Sequence, residues 1–271
     1  MNHKNRSTHS VNLQTKGLSA DGKNRMPRLH YGILARDNYG YFVELNGGIV
    51  IAVDVPVGEV MMDCLERRGW TLSTLLLTHT HWDHVVGLED LVERTRCTLI
   101  APGGASSVSA DRRVKDGEQF VVENLTVEAI DTSGHSELDF SYWLPELGIC
   151  FCGDTLFAWG CGRMFAGPPE RLWASIQRLR ALPGDPWLAC GHEYADDNLR
   201  FMEHHLCSLS RFAEFAGRAG DLPTMPVRLS EQIEHNPFLR ADDPEVAEVL
   251  GMAGADPVEV FARLRELRNR L

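Results

Sequence analysis

At 271 residues, with 44% hydrophobic and 24% charged side chains, the chain can bury one sizeable core plus a smaller unit, and wholesale disorder is excluded. Its formal net charge of −11 argues against nucleic acid as a partner, because phosphate binding needs a basic face. No apolar run approaches the roughly 20 residues that span a bilayer, so no membrane partner is expected.

Residues 1–26 are polar and lack periodicity. Lys4, Arg6, Lys16, Lys23 and Arg25 face only Asp21 there. Without an apolar h-region this is no secretory signal; it reads as a disordered extension, weakly compatible with an organelle transit segment. From Tyr41 the pattern changes. Tyr41 to Leu45 and Ile49 to Val53 predict two strands joined by the turn Asn46-Gly47-Gly48. Val57 to Arg68 predicts a helix with Val57, Val60, Met61, Cys64 and Leu65 on one face. Strand Leu72 to Leu77, helix Leu88 to Thr95 and strand Cys97 to Ala101 follow. Further strands are expected near Phe120 and Val127 and at Ile149 to Cys152. Helix Pro169 to Leu182 and strand Trp187 to Cys190 complete a layered unit of sheet packed with helices.

After Tyr194 the strand signal disappears. Asp197 to Phe215 predicts one long helix, and residues 220–244 read as loop-rich, with Pro223, Pro226 and Pro237. A last helix begins at Asp256-Pro257, an N-cap followed by proline, and carries Val258, Phe261, Leu264 and Leu267 as its stripe. The domains expected are therefore an extension over 1–26, a mixed unit over 27–193 and a helical unit over 194–271.

The seven cysteines, Cys64, Cys97, Cys150, Cys152, Cys161, Cys190 and Cys207, are odd in number and irregularly spaced. They point to reduced thiols in a cytoplasmic compartment rather than a disulfide framework. Cys150 and Cys152 alternate along a strand and read as small core residues.

The chemistry concentrates at Thr78-His79-Thr80-His81-Trp82-Asp83-His84, directly after an apolar strand. Three imidazoles and a carboxylate in one short loop suit zinc and similar divalent ions. Gly134-His135, Gly153-Asp154 and Gly191-His192 add candidates beside glycines, making seven potential ligands, enough for two metal ions. Isolated histidines such as His30, His204, His205 and His235 read as surface or core residues. The motif loops offer no Ser-His or Cys-His pair arranged as nucleophile and base.

These motifs, with Ser-Gly-His at 133–135, Gly-Asp-Thr-Leu-Phe at 153–157 and Gly-His-Glu-Tyr at 191–194, resemble the metallo-β-lactamase superfamily. The narrower resemblance, on Gly160-Cys161-Gly162-Arg163-Met164-Phe165, Asn236-Pro237-Phe238-Leu239-Arg240 and the basic last helix, is to the hydroxyacylglutathione hydrolase family, and runs from about residue 30 to the end. It implies an α+β fold, an αββα sandwich followed by a smaller C-terminal helical domain. It implies one metal on His79, His81 and His135, a second on Asp83, His84 and His192, and Asp154 bridging, with catalytic roles for Asp83 and Asp154. The ions expected are zinc, with iron or manganese sharing the donor set. It implies a glutathione thioester substrate held by Arg163, Tyr194, Arg265 and Arg268, and cleavage to glutathione and a 2-hydroxy acid such as D-lactate. A metal-bridging hydroxide would attack, in a methylglyoxal-detoxifying monomer. The chain departs from the family pattern in having arginine at 163 and 268, where some members have lysine. Phe165 stands in place of tyrosine and Asp139 in place of a second histidine. A persulfide dioxygenase using one iron at His79, His135 and Asp154 is the alternative, followed by a lactonase or nuclease on the same fold.

Overall fold

The computed structural model describes residues 11–18, 27–210 and 224–271. Two sheets stack face to face. The first holds seven strands in chain order: β1 (Gln14–Gly17), β2 (Arg28–Ala35), β3 (Asn38–Glu44), β4 (Ile49–Val53), β5 (Thr71–Leu76), β6 (Thr98–Pro102) and β7 (Arg112–Val114). The second contains β8 (Glu118–Val122), β9 (Leu125–Asp131), β10 (Phe140–Leu144), β11 (Ile149–Gly153), β14 (Trp187–Cys190) and β15 (Val227–Arg228). A small ribbon, β12 (Leu156–Phe157) with β13 (Gly160–Cys161), lies beyond the end of β11.

The strands carry apolar residues on both faces because both faces are covered. In β4, Val50 and Ala52 pack outward with Met61 and Leu65 of α1 (Gly58–Arg68) and Leu91 of α2 (Leu88–Thr95). The alternate residues Ile51 and Val53 point inward to the inter-sheet core with Phe151 and Tyr142. On the far side α3 (Pro169–Arg180) contributes Leu172, Ile176 and Leu179. The layers thus run helix, sheet, sheet, helix.

The C-terminal unit is α4 (Ala195–Leu206), α5 (Leu229–His235), α6 (Pro244–Val249) and α7 (Pro257–Asn269). It shares the inter-sheet core rather than forming a separate one: Phe201, Phe238, Phe261 and Leu264 are fully enclosed within it. Asp256 caps α7 in a reciprocal capping box with Glu259, and Pro257 sits in the first turn.

Several expectations need correction. Part of the supposed extension is ordered: β1 pairs antiparallel with β2, as an edge strand, while residues 1–10 and 19–26 lie outside the described residues. The strand expected from Tyr41 starts at Asn38, and it forms a hairpin with a preceding strand, β2, that is additional to those expected. The long helix stops at Leu206, followed by turns to Ser210; residues 211–215 lie outside the described residues. The loop-rich stretch contains β15 and α5. In α7 it is Val260, not Val258, that joins the buried stripe.

Candidate metal centre and adjoining cleft

Every candidate ligand leaves the scaffold just past a strand. β5 ends at Leu76 and delivers His79, His81, Asp83 and His84; β9 leads to His135, β11 to Asp154 and β14 to His192. Loops at strand ends can carry polar groups while the strands below stay packed. The glycines beside them are required by space. A Cβ on Gly191 would stand 2.2 Å from Asp154 Oδ1, and Gly153 adopts φ +47 with Thr78 Oγ1 2.7 Å from its would-be Cβ.

The structure brings all seven ligand candidates together. His79, His81 and His135 form one group of converging ligand atoms, and Asp83, His84 and His192 form another. Asp154 lies between them: Oδ1 is 3.4 Å from His84 Nε2, and Oδ2 is 3.5 Å from His135 Nε2 and 3.2 Å from His192 Nε2. His192 Nε2 is also 3.2 Å from Asp83 Oδ2 and 3.3 Å from His84 Nε2. Ligands of a tetrahedral zinc at ordinary bond lengths stand about 3.4 Å apart, so these spacings suit a shared ion. Buried His79 Nε2 and Asp154 Oδ1 have no hydrogen-bond partner, although enclosed polar atoms are ordinarily satisfied. These orphaned atoms and two His/Asp groups fit a dinuclear metal site.

The electrostatics divide the cluster. Burial disfavours a charge on His79 and holds its pKa well below the imidazole range. Burial also opposes charge on His84 and His192, but Asp154 and its neighbours win: His84 is held well above its ordinary range and His192 is raised to about 10. Asp154 is enclosed too, yet His84 and His192 keep its carboxyl well below the usual range. Asp83 is likewise held low, against burial, by His192 and His84.

A second ring of residues fixes the ligands. Asp54, in a left-handed conformation at the end of β4, accepts from Thr78 N at 2.8 Å and Thr78 Oγ1 at 2.7 Å, and faces His84 Nδ1 at 2.8 Å. It also stands near His79, but its oxygens are occupied by these partners, so it serves as a support. Asp37 Oδ1 lies 2.9 Å from His192 Nδ1, and Asn38 Nδ2 donates to Asp83 Oδ2 at 3.3 Å. Asp139 accepts from Gly134 N, Ser136 N and Ser136 Oγ, bracing the turn that bears His135; the ring's own partner is the Arg163 carbonyl at 3.0 Å. Sequence reasoning missed Asp37, Asn38 and Asp54. The available signal was the Asp37-Asn38 turn pair between two apolar runs, and an aspartate at a strand end.

The cluster floors a cleft of about 690 Å³. Arg163, Tyr194, Arg265 and Arg268 all line it. Tyr194 stacks on His192 with ring centroids 5.0 Å apart. Arg268 Nε donates to Asn198 Oδ1 at 2.9 Å, with Asp197 at 3.9 Å. Arg265 is buried and gives Nη1 to the Cys161 carbonyl at 2.7 Å and Nε to Asn269 Oδ1 at 3.1 Å, so two of its donors are committed to the scaffold. Burial first lowers the pKa values of Arg265 and Arg268; Arg163 adds repulsion to both, and Arg265 adds more to Arg268, while Cys161 opposes the shift at Arg265. Such a cationic wall in an acidic protein is poised for an anion. Trp82 and Phe165 are 73% and 65% exposed at the rim, and Phe165 sits edge-on to His135 at 5.4 Å.

The family model described as the Metallo-beta-lactamase superfamily matches residues 39–192, and that described as Hydroxyacylglutathione hydrolase C-terminus matches residues 193–271. A protein of Erythrobacter litoralis named hydroxyacylglutathione hydrolase is 40% identical over 247 residues, covering 89% of this chain and 98% of its own. One of the same name from Ruegeria pomeroyi is 41% identical over 241 residues, covering 86% and 94%. The crystal structure of ETHE1 from Myxococcus xanthus superposes with a TM-score of 0.64 at 23% identity, covering 88% of this chain and 89% of that one, a likeness of fold. With both halves of the chain matched and the paired His/Asp groups in place, the chain belongs to the hydroxyacylglutathione hydrolase family of the metallo-β-lactamase superfamily, enzymes of the thioester hydrolase class.

Proposed function

We propose that the chain hydrolyses S-(2-hydroxyacyl)glutathione thioesters, such as S-D-lactoylglutathione, to glutathione and a 2-hydroxy carboxylate, serving methylglyoxal removal. The observation that carries this reading is the meeting of two His/Asp groups on Asp154 beneath a wall of three arginines. His79, His81 and His135 would hold one ion, Asp83, His84 and His192 the other, and Asp154 both. Imidazole and carboxylate donors suit zinc best, and iron or manganese also match the set. The chemistry such paired divalent ions would supply there is a hydroxide nucleophile near neutral pH and polarisation of the thioester carbonyl.

The chain's own residues bind, orient and exclude competitors. Arg163, Arg265 and Arg268 meet the carboxylates of glutathione, and Tyr194 packs beside them. The two cysteines that flank the Asp154 segment are poor nucleophiles: burial pushes the Cys152 and Cys161 thiols up to about 12 and 11, leaving thiolate scarce. Ser136 Oγ donates to Asp139 rather than to an imidazole. The seven thiols, none in a disulfide, suit a reducing cytoplasm, where we propose a monomer acts. Among the described residues no helix is long and apolar enough to cross a membrane.

The discriminating experiment measures S-D-lactoylglutathione hydrolysis and oxygen uptake with glutathione persulfide on one sample of known metal content. Hydrolysis without oxygen uptake is expected. Oxygen uptake at one iron per chain, without hydrolysis, would favour the dioxygenase reading.

A further inference from the structure

The two halves of the metal centre differ in what stands behind their imidazoles. In the second half each histidine has a carboxylate at its far nitrogen: Asp54 is 2.8 Å from His84 Nδ1 and Asp37 is 2.9 Å from His192 Nδ1. In the first half the partners are neutral. His79 Nδ1 meets the Thr78 hydroxyl at 3.0 Å, and His135 Nδ1 meets the Arg163 carbonyl at 3.0 Å. His81 turns its Nδ1 inward, 2.8 Å from His135 Nε2. The second half also owns a charged ligand, Asp83, whereas the first has only its share of Asp154.

An imidazole whose outer N–H is held by a carboxylate is fixed in tautomer and orientation and becomes a more basic ligand. A divalent cation is also drawn to the greater negative charge, and burial weakens the screening. Both effects favour the same half.

We infer that the Asp83–His84–His192 half holds its metal more tightly than the His79–His81–His135 half, and that Asp37, acting through His192, is a positioning residue for that difference. This rests on the two-metal reading above. Asp37 is the informative residue because it stands on the turn between β2 and β3 with its side chain 42% exposed. His192 is its side-chain partner among the described residues. Asp54 also ties Thr78, so its removal would disturb the ligand loop as a whole.

The test is titration of the metal-free full chain with Co²⁺, read by its absorption bands and by chelator competition. Wild type should fill in two steps. Asp37→Ala should weaken the tighter step by about 10- to 100-fold and leave the weaker step nearly unchanged. Asp37→Asn keeps an acceptor oxygen without the charge and should fall between. Asp83→Ala should abolish the tighter step, and His81→Ala the weaker one. Equal weakening of both steps, or unchanged steps with only a lower melting temperature, would overturn the inference, since a structural role has no reason to select one step. If His81→Ala removed the tighter step, the assignment of halves would be wrong. A wild type taking up a single equivalent would overturn the two-metal reading instead, a failure distinct from an unaltered Asp37→Ala titration.

Discussion

The floor of the cleft and its arginine wall are built in opposite ways. The floor is concentrated at strand ends: four ligand candidates come from one loop after β5, and three more from the ends of β9, β11 and β14 in the facing sheet. The wall is assembled over distance. Arg163 follows the small ribbon, Tyr194 and Asn198 belong to the start of α4, and Arg265 and Arg268 come from α7. Reaction chemistry demands ligand types crowded together, whereas recognition needs only that distant side chains converge after folding.

If the floor acts as one unit, removing its central carboxylate should be the most damaging change. Asp154→Ala should release much of both metals and lower turnover by more than the roughly 10- to 100-fold that loss of an outer partner costs. Metal analysis and initial rates on the same preparation check this. Full metal with full activity would remove the bridging role.

The wall should fail differently, in KM rather than in metal content. A charge-assisted hydrogen bond contributes about 1.5–3 kcal/mol, so Arg268→Ala should raise KM for S-D-lactoylglutathione by roughly 10- to 100-fold. Arg163 is exposed, and its removal should cost less, within the roughly 0–1 kcal/mol of surface ion pairs. Arg265→Ala should raise KM and also lower thermal stability, because the same guanidinium braces Cys161. Steady-state kinetics beside melting curves separate the three.

The smallest effect expected is a pH signature of the metal-free floor. His84 and His192 are raised in the fold, so their stabilisation is complete below the ordinary imidazole pKa of about 6.5 and is lost as pH climbs toward about 10. Metal-free chain should therefore lose melting temperature between pH 7 and 10 faster than metal-loaded chain. Buried thiols titrate alike in both forms and cancel in the difference. A constant gap across that window would show that these imidazoles are not charged in the empty site.

How much of this was legible in the sequence follows the same division. Tight His/Asp spacing with flanking glycines exposed the floor, since few other uses explain that composition after a strand. The Asp256-Pro257 start of α7 was legible because capping is local chemistry. The supports Asp37 and Asn38 were hidden, because single polar residues in a turn look ordinary until His192 folds against them. The end of α4 at Leu206 was hidden because a polar-apolar rhythm continues past it. The division of labour between Arg265 and Arg268 was invisible, since three-residue spacing puts both on one face and says nothing of burial.

The most direct test of the whole account is to strip the chain of metal, titrate zinc back and follow S-D-lactoylglutathione hydrolysis at each addition. Hydrolysis should be abolished by chelation and return with full KM selectivity as the site fills toward two ions per chain. Undiminished hydrolysis by metal-free chain, or a fully loaded chain without thioesterase activity, would contradict it.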